Sequence, residues 1–245
     1  MSQLPLPLRL APQATFDSFF AADDKAREVA HLLQHLRHSQ VIWIWGGPGS
    51  GKSHLLQATC AHWNARGRRV IYWDLATADA AAALAGMEAL DVVILDNVAA
   101  VIGDGAAEQA LFRLHNELLA QDGCLVLAAA ASPAELTAEL PDLASRLAAA
   151  LVYRLPSLDE QAQLEILTLR ASKNGLELAV PAARYLVNRV DRNMASLCAW
   201  LDTLDHASLA SQRSRLTVPF IRSVLTDGVT LHDPDEGDEE AQLNQ

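Results

Sequence analysis

Short apolar runs alternate with longer helical patterns over the first 155 residues of the chain. The runs that predict buried strands are 41–45, 69–75, 91–96, 124–130 and 150–155. Between them, the pattern predicts helices at 53–65, 77–88, 105–121 and 133–148. Buried strands that are joined by helices form parallel sheets. The pattern therefore predicts an α/β domain with a parallel sheet flanked by helices.

The pattern changes after Pro156. Only helices are predicted there, at roughly 158–173, 181–189, 193–211 and 217–227. We interpret the chain as an N-terminal segment (1–14), an α/β domain (15–156), a small all-helical domain (157–228) and an acidic tail (229–245). The tail contains DPDEGDEE, which has six acids and no base, and this composition predicts a disordered end.

Composition favours a soluble protein. Hydrophobic residues make up 51% of the chain and the mean hydropathy is +0.10, yet the apolar runs are far shorter than the roughly 18 residues that span a bilayer. The first residues, MSQLPLPLRL, lack the basic start and long apolar core of a secretory signal. Cys60, Cys124 and Cys198 are widely spaced and form no CxxC pair, which fits reduced thiols. We expect a cytoplasmic protein.

The chain carries a net charge of −11, and it stays acidic when the tail is set aside. Non-specific affinity for nucleic acid depends on Lys and Arg side chains that displace counterions from the phosphate backbone. We therefore expect little direct nucleic-acid binding by this chain.

The strongest chemical signal is WGGPGSGKSH, residues 45–54, which contains G-x-x-x-x-G-K-[ST] between a predicted strand and a predicted helix. In that context the backbone amides of a glycine-rich loop surround phosphate oxygens, and the helix dipole points at the anion. The sequence predicts a nucleotide site made of Gly46, Gly47, Pro48, Gly49, Ser50, Gly51, Lys52, Ser53 and His54. Lys52 would neutralise β/γ-phosphate charge and Ser53 would bind Mg²⁺, with Asp96 at the end of DVVILD as its second anchor.

These features together resemble the AAA+ ATPases, in which a phosphate-loop α/β domain is followed by a helical lid. TFDSFFAADDKAREVA (15–30) and GGPGSGKSHLLQA are similar to the opening of the ATPase module of DnaA, the bacterial replication initiator, and LPDLASRL (140–147) resembles its box VII. The chain is expected to end after the lid, without the initiator's DNA-binding domain. With QLPLPL near its start, it resembles the Hda family of DnaA-homologous regulators over about residues 3–227.

In that family the N-terminal segment binds the sliding clamp of the replicative polymerase. The resemblance assigns this role to Gln3, Leu4, Leu6 and Leu8. Pro5 and Pro7 favour an extended shape, which lowers the cost of ordering the segment on a partner. The alternative is that these leucines pack on their own domain.

Arg146, in LASRL, resembles the family's arginine finger, which reaches a nucleotide bound by the neighbouring subunit. A guanidinium at the γ-phosphate stabilises the charge that develops in phosphoryl transfer, and another molecule can supply it. The alternative is a surface ion pair with Asp142, four residues earlier.

Three departures from the family pattern concern hydrolysis. Asn97 stands where an ATPase places the acid that activates water, and Ala128 to Ala131 follow a strand that usually ends in a polar sensor. Ala195 occupies the position of the lid arginine that contacts nucleotide, for which Arg192 is the candidate substitute. The site is therefore expected to hold ADP or ATP with Mg²⁺ but to hydrolyse ATP slowly.

The resemblance thus implies a negative regulator of replication initiation that, on the DNA-loaded clamp, stimulates ATP hydrolysis by the initiator DnaA. Whether it forms a homo-oligomer is left open. An AAA+ helicase loader or transposition helper would instead hydrolyse ATP itself and bind single-stranded DNA, which the acidic charge and Asn97 disfavour. A small P-loop kinase would need a phosphate-binding arginine lid over the loop, which the helical segment after Pro156 and the box VII match disfavour.

Overall fold

The computed structural model describes residues 14–76, 80–190, 194–211 and 213–229. Several predictions concern residues outside these ranges: the clamp-binding Gln3, Leu4, Leu6 and Leu8, the substitute lid residue Arg192, and the acidic tail. The chain divides into two compact units between Leu158 and Asp159. None of the helices in the described ranges has both the length and the hydropathy to cross a membrane.

The first unit is built on a five-stranded parallel sheet, which confirms the predicted fold class. Its strands are β1 (Val41–Trp45), β2 (Val70–Asp74), β3 (Val92–Asp96), β4 (Cys124–Ala129) and β5 (Leu151–Arg154). Their spatial order is β2-β3-β4-β1-β5, so β1, which feeds the glycine-rich loop, lies next to β5 at one edge of the sheet. All five strands lie within the runs predicted from the sequence.

Helices cover both faces of this sheet. They are α1 (Asp24–Gln34), α2 (Lys52–Asn64), the single turn α3 (Ala80–Ala83), α4 (Gly105–Ala120) and α5 (Pro141–Ala148). Aspartates cap α1 and α4: Asp23 accepts a hydrogen bond from the Ala26 N–H, and Asp104 accepts from the Ala106 and Ala107 N–H groups.

Two helix predictions were wrong in extent. Within the predicted helix 77–88, the described residues form only α3 and a 3₁₀ turn, Met87–Ala89. The predicted helix 133–148 is a 3₁₀ turn, Pro133–Glu135, then extended chain, then α5. Pro141 explains the break, because a proline disfavours helical backbone in the residue before it, and Leu140 is extended. Pro141 suits the first position of α5, where its missing N–H costs nothing.

The strands β1 to β4 alternate their side chains between two hydrophobic cores, whereas Leu151 and Val152 of the edge strand β5 are exposed. Trp43, Val93 and Leu127 point to the side that α4 and α5 cover, where Leu111, Leu114, Leu118, Leu143 and Leu147 complete the core. Ile42, Ile44, Ile94 and Val126 point to the other side, which α1 and α2 cover with Val29, Leu33, Leu55 and Leu56. Burial on both faces explains why the strands read as continuous apolar runs.

The second unit contains α6 (Glu160–Lys173), α7 (Val180–Arg189), α8 (Met194–Ala210) and α9 (Val218–Val229). The sequence predicted helices only, but β6 (Glu177–Leu178) and β7 (Arg215–Leu216) also pair as a small parallel sheet. These two-residue strands bury Leu178 and Leu216 but are too short to produce an alternating pattern. Within the unit, Arg170 of α6 pairs with Asp202 of α8 at 3.0 Å.

Candidate functional site

The loop between β1 and α2 has the backbone of a phosphate cradle. Gly49 and Gly51 have φ of 74° and 93°, the left-handed region in which side chains are strained. Two further contacts require the absence of a side chain. A Cβ on Gly46 would lie 2.5 Å from the Leu155 carbonyl oxygen, and one on Gly51 would lie 2.9 Å from the Phe19 ring. Packing therefore constrains Gly46 and Gly51, and turn geometry constrains Gly49 and Gly51.

Lys52 places its ammonium group inside this loop. Its Nζ donates to the carbonyl oxygens of Gly46 at 2.7 Å and Gly47 at 3.0 Å. Burial lowers the pKa of Lys52, while the nearby Asp96 carboxylate opposes that shift. Lys52 is also the first residue of the 13-residue helix α2, so the positive end of the helix dipole meets the loop, and Ser53 follows at an exposed position.

Asp96 ends β3 and is almost fully buried, with 1% of its surface exposed. One carboxylate oxygen accepts the Asn97 backbone N–H at 2.9 Å, and the other accepts the Tyr72 hydroxyl at 3.2 Å. Burial and the Asp96 charge raise the pKa of Tyr72, so the phenol stays a donor. This carboxylate is therefore held in one orientation at the carboxyl edge of the sheet.

Asn97 reaches sideways to the neighbouring strand. Its side-chain amide donates to the Asp74 carboxylate at 2.7 Å, and Asp74 lies in register with Asp96 across β2 and β3. Asn97 also has φ of 55°, a conformation that Asn tolerates better than most residues. The amide thus has a structural role, and Asp74, which the sequence did not single out, is part of the site.

The end of β4 presents alanines at the position of a polar sensor. Ala128 and Ala129 are buried in the sheet, and the Ala131 carbonyl oxygen accepts the Trp43 indole N–H at 3.1 Å. The next polar side chain, Ser132, donates to Glu135 at 3.0 Å. No hydroxyl or amide side chain lies between the end of β4 and Ser132.

His54 contacts protein rather than pointing free from the loop. Its Nε2 lies 2.9 Å from the Thr15 carbonyl oxygen and 3.3 Å from the Ser18 hydroxyl. Phe19, which lies against Gly51, is also beside the His54 ring. The segment 15–19 therefore packs on the phosphate loop. The sequence of this segment showed only its similarity to the DnaA ATPase module and predicted no such contact.

Arg146 lies in the last turn of α5, and its side chain is exposed. It forms no ion pair with Asp142 or with any other residue in the described part of the chain. Burial lowers the pKa of His115 on α4, and the positive charge of Arg146 lowers it further. A free guanidinium at the surface can contact a group on another molecule. In the second unit, Ala195 lies at the start of α8, whereas Arg192 falls outside the described residues.

The residues of this site fit a nucleoside phosphate with a divalent cation. The cradle of residues 46–51 offers backbone amides and a helix N-terminus, and Lys52 offers a countercharge. Ser53 and the buried Asp96 supply the hydroxyl and carboxylate oxygens that Mg²⁺ prefers. Neither the Asn97 amide nor the alanines after β4 can take a proton from water.

Two family models match the chain. The model of the bacterial DnaA ATPase domain matches residues 10–154, and the model of the Hda lid domain matches residues 159–225. The first covers more than half of the chain.

Solved structures share the fold. Domain III of the replication initiation protein DnaA from Thermotoga maritima superposes with a TM-score of 0.72 at 22% identity, covering 89% of this chain and 98% of that one. AMPPCP-bound DnaA from Aquifex aeolicus superposes with a TM-score of 0.65 at 24% identity, covering 80% of this chain and 66% of that one. The Holliday junction branch migration motor RuvB of Thermotoga maritima superposes with a TM-score of 0.62 at 18% identity, covering 89% of this chain and 72% of that one. On the family models and this fold, the chain belongs to the bacterial DnaA ATPase domain family as an Hda/DnaA-like AAA+ protein.

Proposed function

We propose that this protein is a negative regulator of replication initiation that stimulates ATP hydrolysis by the initiator DnaA. The observation that carries the proposal is the contrast between two groups. The phosphate site has no acid at Asn97, whereas Arg146 is exposed and free of an ion pair within the described residues. The chain is poorly equipped to hydrolyse its own nucleotide and equipped to act on another.

The protein binds ADP or ATP with Mg²⁺ in this proposal. The cradle at residues 46–51, with Lys52 inside it, supports phosphate binding, and a solved DnaA of similar fold is bound to AMPPCP. Ser53 and Asp96 would hold the cation. The nucleotide serves a structural or regulatory role, because the Asn97 amide beside Asp96 cannot take a proton from water.

The coupled reaction takes place on the initiator's nucleotide. Arg146 contacts the γ-phosphate there and stabilises the negative charge that spreads over its oxygens as the bond to the β-phosphate breaks. A finger supplied by another molecule is worth roughly 10³ to 10⁵ in rate where it is the main missing group. We expect a smaller factor, because the initiator's own site contributes catalytic groups.

The sliding clamp supplies the location. Gln3, Leu4, Leu6 and Leu8 would enter a pocket on the clamp as an extended segment, so that the regulator meets the initiator on replicated DNA. An acidic chain with little affinity of its own for DNA needs such a tether.

A hydrolysis assay on ATP-loaded initiator tests the proposal. Faster hydrolysis is expected when this protein and DNA-loaded clamp are both present, and not when either is left out. An unchanged rate with both present, or ATP turnover by this protein alone that single-stranded DNA increases, would reject the proposal and favour a helicase loader.

A further inference from the structure

Glu108 is a fully buried carboxylate on α4, with 0% of its surface exposed. Its oxygens accept three backbone N–H groups, from Gly103 at 2.8 Å, Glu139 at 3.0 Å and Leu140 at 2.7 Å. Burial alone would raise the pKa of Glu108, but these three donors outweigh it and hold the pKa below its usual value. The group is therefore a charged, hydrogen-bonded anchor inside the first unit.

The three donors belong to two different loops. Gly103 ends the segment that runs from Asp96 and Asn97 through the 3₁₀ turn Val98–Val101. Glu139 and Leu140 end the extended segment that precedes α5, and Leu140 is the N-cap residue, directly before the helix. Glu108 thus joins the chain leaving the phosphate site to the start of the helix that carries Arg146.

Besides these hydrogen bonds, the extended segment is held by Leu136 and Leu140, which pack against the core on this side of the sheet. Pro141 gives α5 no N–H at its first position, and the side chain of Leu140 provides no cap. The helix has only eight residues, too short to be stable without its tertiary contacts. Leu143 and Leu147 bury one face, but apolar contact fixes direction less sharply than hydrogen bonds to the backbone.

We propose that Glu108 is a positioning residue, whose carboxylate fixes the start of α5 and thereby sets where Arg146 lies. The inference rests on the proposed function of Arg146 as a group that acts in trans. Displacement of a catalytic group by about 1 Å can cost roughly 10² in rate. By holding the start of α5, Glu108 therefore controls the rate of the initiator's ATP hydrolysis without touching the nucleotide.

The chemistry of the pocket requires a carboxylate. Every backbone group that faces Glu108 is a donor, so a glutamine would turn its NH₂ towards one of the three N–H groups. Glu108→Gln therefore keeps the size of the side chain and loses the bond to Leu140 or the pair to Gly103 and Glu139. Glu117, exposed on the same helix, allows the same change of charge as a control.

The test combines hydrogen exchange with the initiator assay. For Glu108→Gln we expect the amides of Glu139 and Leu140 to exchange at least tenfold faster, while those of α2 and the nucleotide affinity stay unchanged. Maximal stimulation should fall at least tenfold at a nearly unchanged half-saturating concentration. Glu117→Gln should match the unchanged protein in each measurement.

Three outcomes are decisive. Unchanged exchange at Glu139 and Leu140, or faster exchange with full stimulation, would overturn the positioning role. If the unchanged protein does not stimulate the initiator, the proposed function fails, and the exchange result alone still decides whether Glu108 fixes α5. If Glu108→Gln does not fold, Glu108→Asp retains the charge with a shorter reach: faster exchange at Leu140 in a folded protein supports the inference, and unchanged exchange overturns it.

Discussion

At the scale of single residues, the amide at position 97 is explained by its neighbour. Asn97 donates to Asp74 at 2.7 Å in a left-handed conformation, so a carboxylate there would face a second carboxylate across the strand ends. Like charges at that distance cannot both ionise without cost. Asn97 thus neutralises the contact between the ends of β2 and β3.

Asn97→Asp should therefore lower the melting temperature at neutral pH without producing ATP turnover. The loss should shrink as pH falls into the carboxyl range, because protonation of one acid restores a donor between the two groups. Asp74→Asn added to Asn97→Asp reverses the pair and should recover most of the loss. Thermal melts of the three proteins between pH 4 and pH 8 check this, and equal melting temperatures throughout would mean that the contact has no energetic role.

Lys52→Ala should remove most of the affinity for adenine nucleotide, because it deletes the ammonium group inside the loop. Titration calorimetry with ADP and ATP in the presence of Mg²⁺ measures the change. Lys25→Ala, an exposed lysine on α1, is the control and should bind as the unchanged protein does. Equal affinity for all three proteins would place the nucleotide elsewhere.

At the scale of elements, buried strands and capped helices could be predicted from the sequence, and contacts between loops could not. The strands β1 to β4 are apolar on both faces, and the glycine-rich loop has a fixed spacing, so both are visible along the chain. The contacts of three parts of the chain are not visible in the sequence, because their partners are distant along it: Asp74, Glu108 and the segment 15–19. The break at 136–140 was missed because helical spacing continues across it, and only Pro141 marks the new start.

The buried anchor between α4 and α5 predicts a pH dependence. The pKa of Glu108 is lowered in the folded protein, so its contribution to stability is present above the pKa of an unfolded glutamate, about 4.3. That contribution is lost as pH falls through the lower folded value. The free energy of unfolding should therefore differ most between the unchanged protein and Glu108→Gln at neutral pH, and the difference should shrink in acid. Urea unfolding at pH 7 and at several pH values below 4 measures it, and a difference that grows in acid would contradict the assignment.

At the scale of the whole molecule, the proposed function divides among separate parts of the chain. In the proposed function the phosphate site would hold a nucleotide, α5 would present Arg146, and the N-terminal residues would bind the clamp. Gln3→Ala combined with Leu4→Ala should abolish co-elution with the clamp and leave the melting temperature nearly unchanged, since terminal residues add little to a core. Leu10→Ala with Gln13→Ala changes the same residue types outside the motif and should retain the clamp. Co-elution that survives the first pair of changes would mean that the motif was misread.

The most direct test of the account is a single-turnover measurement on initiator that carries γ-labelled ATP, with this protein added on DNA-loaded clamp. Phosphate release should be fast with the unchanged protein and with Arg113→Ala, which removes an exposed arginine from α4. It should fall to the rate of the initiator alone with Arg146→Ala, although that variant still binds nucleotide and clamp. Asn97→Asp should leave the stimulation largely intact, because it alters a site that does not perform the coupled reaction. Release at the unchanged rate with Arg146→Ala would contradict the account and reassign this arginine to packing or to a surface ion pair.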